Sequence, residues 1–173
     1  MKNEAIEVLM NRRAIRAFKP EQITDQELLT VLEAGTYAPT ARGMQTPFIV
    51  AVQEPGDLEA VKKLNARIMG KDIDPYYGAP TVLLVLAPDD NFGVINASAV
   101  LTNMVNAAYA AGLGSCWIHR PREMFETEEG KALLRKWGLD ESLAGVGSIA
   151  LGYAACEQPQ PKPRKEGYYR IIK

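Results

Sequence analysis

Hydrophobic and polar residues follow two different periods along the chain, and these periods predict its secondary structure. Short apolar runs bounded by proline, glycine or polar residues are typical of strands, and the chain has four of them: 48–52, 81–86, 114–119 and 147–153. Apolar residues spaced three or four positions apart predict amphipathic helices at 3–10, 57–69 and 128–137. The run 81–86 is almost entirely valine and leucine, which indicates a strand that is covered on both faces.

A helix start signal precedes the second predicted helix. Thr24 and Glu27 form a capping box, a pattern in which the two side chains satisfy the first backbone N–H groups of a helix. This helix is expected to end near Pro39, and the prolines and glycine of 39–47 predict a loop. Its expected apolar face consists of Leu28, Leu29 and Leu32, with Val31 as a further candidate.

The longest predicted helix, 91–111, is rich in alanine and ends at Gly112. Small side chains let another helix approach closely. The helix is therefore either a contact between subunits or a buried helix of the core, and the sequence leaves both interpretations open.

Helices that alternate with four strands fit a layered domain with helices on both faces of one sheet. The length of 173 residues is typical of a single domain, which we expect to span 1–173. A doubly wound nucleotide-binding fold would begin with a strand and a glycine-rich turn. Gly112-Leu113-Gly114 instead follows a helix and precedes a strand, so that fold is not expected.

Composition excludes several classes of partner. The formal net charge of -1 gives no general attraction to nucleic acid or anionic lipid, so any basic site must be local. Asparagines interrupt the longest apolar stretch, 94–113, which argues against a membrane span. The first ten residues carry Asn3, Glu4 and Glu7 where a signal peptide needs an apolar segment.

Two cysteines, Cys116 and Cys156, lie in apolar stretches. We expect both to be buried free thiols of a protein in the reducing cytoplasm. They form no zinc-ligand spacing with the single histidine, so no metal site is predicted.

Three arginines within five residues are the main candidate for chemistry. If the first helix continues through them, Arg12 and Arg16 project from one face. Adjacent guanidinium groups repel each other and are stable only in water or around an anion, and their planar donors suit a phosphate. A solvent-exposed basic face is the alternative interpretation.

Four motifs occur together in an order that resembles the short members of the FMN-dependent nitroreductase family. They are Arg12-Arg13-Ala14-Ile15-Arg16, the loop from Ala38-Pro39-Thr40-Ala41 to Gln45, the strand Gly112-Leu113-Gly114-Ser115-Cys116-Trp117-Ile118, and Lys162-Pro163-Arg164. The resemblance covers nearly the whole chain. It implies an α+β fold, a three-layer α/β/α sandwich around a mainly antiparallel sheet of four to five strands, in an intertwined homodimer with FMN at the subunit interface.

The resemblance also implies the residues of the cofactor site. The cations at both ends of the chain would bind the phosphate, the 39–45 loop would reach the flavin of the partner subunit, and the backbone that ends the third strand would face the flavin N5 edge. By position, the FMN-binding residues would be Arg12, Arg13, Ala14, Arg16, Pro39, Thr40, Ala41, Gln45, Ile118, His119, Arg120, Lys162 and Arg164.

The implied activity is that of an FMN oxidoreductase that takes hydride from NADH or NADPH. It would reduce nitroaromatics, quinones or similar flat acceptors by a ping-pong mechanism, without a side-chain acid or base. Arg16 would favour flavin reduction as a fixed cation near the N1/O2 edge, and His119 would be a second modulator or a structural residue. The alternatives are a family member with reductive dehalogenation or flavin fragmentation chemistry, and a non-enzymatic anion-binding domain.

The sequence departs from the family pattern at positions that concern the substrate. Gly43 stands where asparagine is frequent, Phe48 where tryptophan is common, and His119 where a small residue is usual. The short segment 69–80 implies a reduced lid. Its Tyr76 and Tyr77 would either stack on a substrate or form a surface turn.

Overall fold

The computed structural model describes residues 3–173, which form six α-helices and one four-stranded sheet. No helix in this part of the chain is long and apolar enough to cross a membrane. The helices are α1 (Glu4–Asn11), α2 (Asp25–Thr36), α3 (Pro55–Met69), α4 (Gly93–Ala110), α5 (Pro121–Glu126) and α6 (Glu128–Lys136). The strands are β1 (Phe48–Val52), β2 (Thr81–Ala87), β3 (Gly114–Ile118) and β4 (Ala144–Gly152).

The sheet is antiparallel throughout, with the strand order β1-β2-β4-β3. β2 and β4 occupy the centre and β1 and β3 the two edges. Every residue of β2 is buried, as expected of a strand between two helical layers. The α+β class and the three-layer arrangement expected from the resemblance are confirmed.

Alternation along β2 divides the core into two clusters, because successive side chains of a strand point to opposite faces. Val82, Leu84 and Leu86 pack against the layer of α3, α5 and α6. Leu83, Val85 and Ala87 pack against the layer of α2 and α4. The layer of α3, α5 and α6 is called the outer helical layer below.

Several boundary predictions are confirmed, and α5 is an element that the sequence pattern did not predict. The capping box at Thr24 is present, with reciprocal hydrogen bonds to Glu27. In α2, Val31 is fully buried, whereas Leu29 is 57% exposed. The expectation that Leu29 faces the core is therefore wrong. The side of α2 that packs against α4 carries Val31 and Gly35, and both residues are buried. One face of α4 is buried in the core, which confirms the core interpretation for that face.

The cysteine prediction holds for one residue only. Cys116 lies in β3 and is buried, but Cys156 follows β4 in an exposed segment. Both are free thiols. Cys156 is exposed because the chain leaves the sheet after Gly152, and everything from Ala155 onward is exposed.

Candidate functional site

The arginine-rich segment lies along the edge of the sheet and is not helical. α1 ends at Asn11, and the backbone N–H of Ile15 donates to the Ser115 carbonyl over 2.9 Å. Ile15 is buried, and a side chain at Gly114 would meet it at 3.1 Å. The predicted helix at 3–10 is thus confirmed, and it does not continue through residues 12–16, where the chain docks on β3 instead. We call residues 12–16 the N-terminal arginine segment.

Arg12 and Arg16 nevertheless come near the same strand, because the positive charges of both act on the Cys116 thiol. Burial raises the pKa of that thiol, and the positive charges of Arg16 and Arg12 partly oppose the rise. Burial and the neighbouring charge of Arg13 lower the pKa of Arg12. Both positive charges thus act at the middle of β3.

Arg13 is held by backbone carbonyls close to it in the chain. Its guanidinium donates to the backbone carbonyls of Met10 and Arg12 over 2.8 and 2.7 Å, and its buried Nε has no partner among residues 3–173. It lines a cavity of about 140 Å³ with Tyr109 near the end of α4. Its guanidinium is therefore engaged with the backbone, whereas Ala14 is partly buried against the core.

The N-terminal arginine segment carries positive charge that no acidic side chain balances. Within residues 3–173, none of its three arginines forms a salt bridge, and neither do Lys162 and Arg164 of the C-terminal tail. The tail passes close to the segment at Gln158, whose side chain donates to the Asn11 carbonyl over 2.9 Å. Arg164 donates to the Lys162 carbonyl in its own segment.

β3 ends in a strained turn at His119 and Arg120. Arg120 has φ 85° and ψ 1°, a left-handed conformation that is costly for a residue with a side chain. Pro121 begins α5 directly after it, and a side chain at Gly145 in β4 would meet the Pro121 carbonyl oxygen at 2.3 Å. The glycine is therefore required for the turn to lie so close to β4. The side chain of His119 is exposed.

A buried polar network lies beneath this turn. The side chain of Asn65, on α3, donates to the His119 carbonyl and to the Tyr76 hydroxyl over 3.0 Å each, and accepts from Nε of Arg120 over 2.8 Å. The Tyr76 hydroxyl lies 3.0 Å from Oγ of Ser148, which in turn donates to the Ile118 carbonyl over 3.2 Å. No surface is exposed on Asn65 of α3, Ser148 of β4 or Tyr76 of the 70–80 loop.

This network corrects one prediction and adds residues that the sequence did not reveal. Residues 75–78 form the predicted turn, but the Tyr76 side chain is fully buried, so it neither stacks on a substrate nor lies at the surface. Burial raises its pKa to about 12. Tyr77 keeps 37% of its surface exposed, in a left-handed conformation at φ 58°. Asn65 was not predicted; its only sequence signal is an amide on the apolar side of α3, next to Leu64.

The 39–45 loop is held by another buried asparagine. Asn96, near the start of α4, accepts from the Ala41 backbone N–H over 2.8 Å. The Thr40 hydroxyl accepts from the Gln45 N–H over 3.0 Å and closes the loop. Pro39 and Gln45 themselves are exposed. The loop is thus fixed at its base and open to solvent at its rim.

Two groups of predicted site residues lie at opposite ends of the protomer. The 39–45 loop leads into β1, at one edge of the sheet, and is fixed at Asn96. The N-terminal arginine segment lies along β3, at the other edge, beside Tyr109. Asn96 and Tyr109 are separated by about 20 Å along α4, at 1.5 Å per residue. One protomer therefore does not bring the two groups together.

Apolar side chains are exposed at both ends of the chain. In α1, Leu9 and Met10 are 59% and 68% exposed, and the helix buries none of its residues. Its predicted apolar side exists but does not face this protomer's core. The tail exposes Tyr168, Tyr169, Ile171 and Ile172. Both ends of the chain therefore present apolar side chains to solvent.

Comparison with known proteins identifies relatives that are similar to this chain in sequence and in fold. The chain is 30% identical over 171 residues to a protein from Archaeoglobus fulgidus that is provisionally named NADH dehydrogenase/NAD(P)H nitroreductase, and the match covers 95% of this chain and 90% of that protein. It superposes on a nitroreductase from Bacteroides fragilis with bound FMN at a TM-score of 0.88 and 29% identity, covering 99% and 100% of the two chains.

A second solved structure supports the fold alone. The nitroreductase with bound FMN from Desulfitobacterium hafniense gives a TM-score of 0.88 at 21% identity, with 99% and 100% of the chains covered. The family model described as the nitroreductase family matches residues 9–153, which span every strand and helices α2 to α6. The chain belongs to the nitroreductase family.

Proposed function

We propose that this protein is an FMN-dependent oxidoreductase that takes hydride from NADH or NADPH and passes the electrons to nitroaromatics, quinones or similar flat acceptors. The observation that carries the proposal is the N-terminal arginine segment, whose Arg12 and Arg16 lie near β3 without a salt bridge in the described chain. A phosphate dianion supplies the charge that this arrangement lacks. The FMN bound by the Bacteroides fragilis relative carries such a phosphate.

The donor set of this chain fits FMN. Arg12 and Arg16 bring planar guanidiniums, whose donors suit a phosphate, close to the same strand. Lys162 and Arg164 would complete the phosphate site, and Ala14 would lie beside it in the sequence. At the other end of β3, the backbone N–H of Arg120 has no acceptor between residues 3 and 173 and would face the ring. Ile118 and His119 would line the same edge.

The complete site would require two copies of the chain. The 39–45 loop and the N-terminal arginine segment lie at opposite edges of the sheet, so Pro39, Thr40, Ala41 and Gln45 of one copy would approach the cofactor of the other. The exposed apolar residues of α1 and the tail supply a surface for such a homodimer. Each copy would contribute one domain, 1–173.

Bound FMN would supply the hydride chemistry, and the protein would position it. No side-chain acid or base is required. Arg16 would hold positive charge near the cofactor and favour its reduction. Donor and acceptor would use the same open face in turn, which gives ping-pong kinetics. The free thiols Cys116 and Cys156 favour a cytoplasmic location.

The first experiment is a visible absorbance spectrum of the purified protein after addition of FMN and gel filtration. A flavin spectrum that elutes with protein at the size of a dimer is the expected result. Arg16→Ala should weaken FMN binding by roughly tenfold or more, the effect of losing a charge-assisted hydrogen bond. Arg67→Ala is the matched control, because that arginine pairs with Glu129 at the protein surface. Protein that stays colourless would refute the proposal.

Initial rates test the reaction itself. NADH or NADPH is varied at several fixed concentrations of a nitroaromatic or a quinone. Parallel lines in double-reciprocal plots are expected for the ping-pong mechanism. Intersecting lines would exclude it and leave FMN binding as the surviving part of the proposal.

A further inference from the structure

One buried side chain contacts both halves of the strained turn after β3. The Asn65 amide donates to the His119 carbonyl over 3.0 Å, and its carbonyl oxygen accepts from Nε of Arg120 over 2.8 Å. Asn65 has no exposed surface, and its amide group also contacts Tyr76 and Met124. Asn65 of α3 therefore holds the turn from the core side, and the Met124 N–H of α5 donates to the Arg120 carbonyl over 2.9 Å.

This contact also fixes the direction of a backbone donor. The C=O and N–H groups of a trans peptide point in opposite directions. Because the His119 carbonyl is directed into the core toward Asn65, the Arg120 N–H is directed away from the core. That N–H has no acceptor within residues 3–173. The turn thus presents the Arg120 N–H as a free donor on its outer side.

We propose that Asn65 is a positioning residue that holds the 119–120 peptide so that the Arg120 N–H is presented to the flavin ring. The inference rests on the proposed function. A ligand whose phosphate binds Arg12 and Arg16 beside Cys116 extends along β3 toward Arg120, which lies four residues further on. The network through Tyr76 and Ser148 holds the end of the strand at the same place.

The test replaces Asn65 with a residue of similar size that cannot hydrogen-bond. Asn65→Leu should weaken FMN binding about tenfold, the effect of one lost hydrogen bond, and shift both the absorbance maximum and the reduction potential of the bound flavin. The kcat should fall while the KM for NADH stays within about twofold, since no contact with the nicotinamide is altered. Asn103→Leu is the control, because the half-buried Asn103 of α4 donates to the Ala34 carbonyl of α2 on the other face of the sheet.

A second substitution separates positioning from packing. Glycine adopts the φ of 85° without strain, so a turn with Arg120→Gly no longer depends on Asn65. The effect of Asn65→Leu on FMN affinity, spectrum and potential should therefore largely disappear when it is measured in the Arg120→Gly background. If Asn65 only filled the core, the tenfold effect would persist in that background, and the inference would be overturned.

Two further variants keep the test decisive if Asn65→Leu does not fold. Arg120→Ala and Arg120→Gly both remove the guanidinium, but alanine is strained at this φ. Arg120→Ala should weaken FMN binding at least about fivefold more than Arg120→Gly. Equal affinities would overturn the inference. Failure of the wild-type protein to bind FMN would instead refute the proposed function, so the two failures are distinguishable.

Discussion

The outer helical layer and the N-terminal arginine segment differ in whether their positive charges have carboxylate partners. Every salt bridge recorded within residues 3–173 has its cation on α3, α5 or α6. Arg135, for example, contacts both Glu128 and Glu141. The N-terminal arginine segment has three arginines and no such contact. The net charge of -1 conceals this difference.

The contrast shows where a ligand can gain binding energy. A cation that already has a carboxylate partner gains little from an added anion, and exposed pairs contribute little to stability. Burial and the neighbouring charge of Arg13 lower the pKa of Arg12, so an added anion would stabilise its charged form. The arginine segment therefore has the charge of a binding site, whereas the outer layer has the charge of a solvated surface.

The largest predicted effect comes from reversing one charge in each region. Arg16→Glu should weaken FMN affinity by roughly 100-fold or more, because it removes a charge-assisted contact and adds repulsion toward the phosphate. Arg135→Glu should leave FMN affinity unchanged but lower the unfolding midpoint, since it adds a third carboxylate beside Glu128 and Glu141. Fluorescence titration and thermal unfolding measure the two. Equal loss of FMN affinity in both variants would remove the distinction.

The next effect concerns the buried network beneath the turn after β3. Burial raises the pKa of Tyr76 to about 12, from 10.0 for an ordinary tyrosine. The folded state therefore retains a proton that the unfolded state releases between these values, so the free energy of unfolding should fall by about 2–3 kcal/mol as pH rises from about 10 to about 12. Below pH 10 this contribution is complete.

Tyr76→Phe is the comparison for this pH dependence. Urea unfolding of the two proteins at both ends of the alkaline range isolates the tyrosine, because all other groups are shared. The difference in unfolding free energy between wild type and variant should shrink as pH rises. A difference that stays constant with pH would show that Tyr76 does not titrate in this range.

The helical layers and the sheet could be predicted well, because a buried element has a recognisable pattern of apolar residues along the sequence. The all-apolar run of β2 and the capping box at Thr24 each determine an element within a few residues, and both are confirmed. The motif order predicted the family, and the family model confirms it. Each of these features depends on residues that are close together in the sequence, so the sequence pattern is sufficient to predict it.

The arginine segment and the Asn65 network could not be predicted in the same way. The segment is extended because Ile15 docks on Ser115, one hundred residues further along the chain, a contact without a local signal. Asn65 reaches Arg120 across 55 positions. The roles of Arg12, Arg16, His119 and the other proposed FMN-binding residues stay predictions until binding is measured.

A smaller effect is expected at Asp57, which connects α3 to the end of α6 within the outer helical layer. Asp57 accepts from Lys136 and from the indole of Trp137, and both contacts lower its pKa. Asp57→Asn should reduce the free energy of unfolding by about 1–2 kcal/mol at neutral pH. A lowered carboxyl pKa stabilises the fold above the unfolded pKa, and this contribution is lost as pH falls through the folded pKa.

Denaturant unfolding at neutral and acidic pH measures that contribution. The wild-type advantage over Asp57→Asn should diminish below about pH 4, where the unfolded carboxyl begins to protonate. FMN affinity should not change, because Asp57 lies on the outer layer. An effect on FMN binding would mean that the two regions are coupled through α3, which also carries Asn65.

The smallest predicted effect is the response to salt. Raising NaCl to about 0.5 M shortens the screening length to a few ångströms. FMN affinity should fall severalfold, because the phosphate is attracted by Arg12 and Arg16 without competing carboxylates. The unfolding midpoint should hardly change, since exposed pairs such as Arg122–Asp89 contribute little even at low salt. Stability that depends on salt would mean that the salt bridges of the outer helical layer stabilise the fold. FMN affinity that does not depend on salt would mean that the N-terminal arginine segment binds FMN by contacts other than charge.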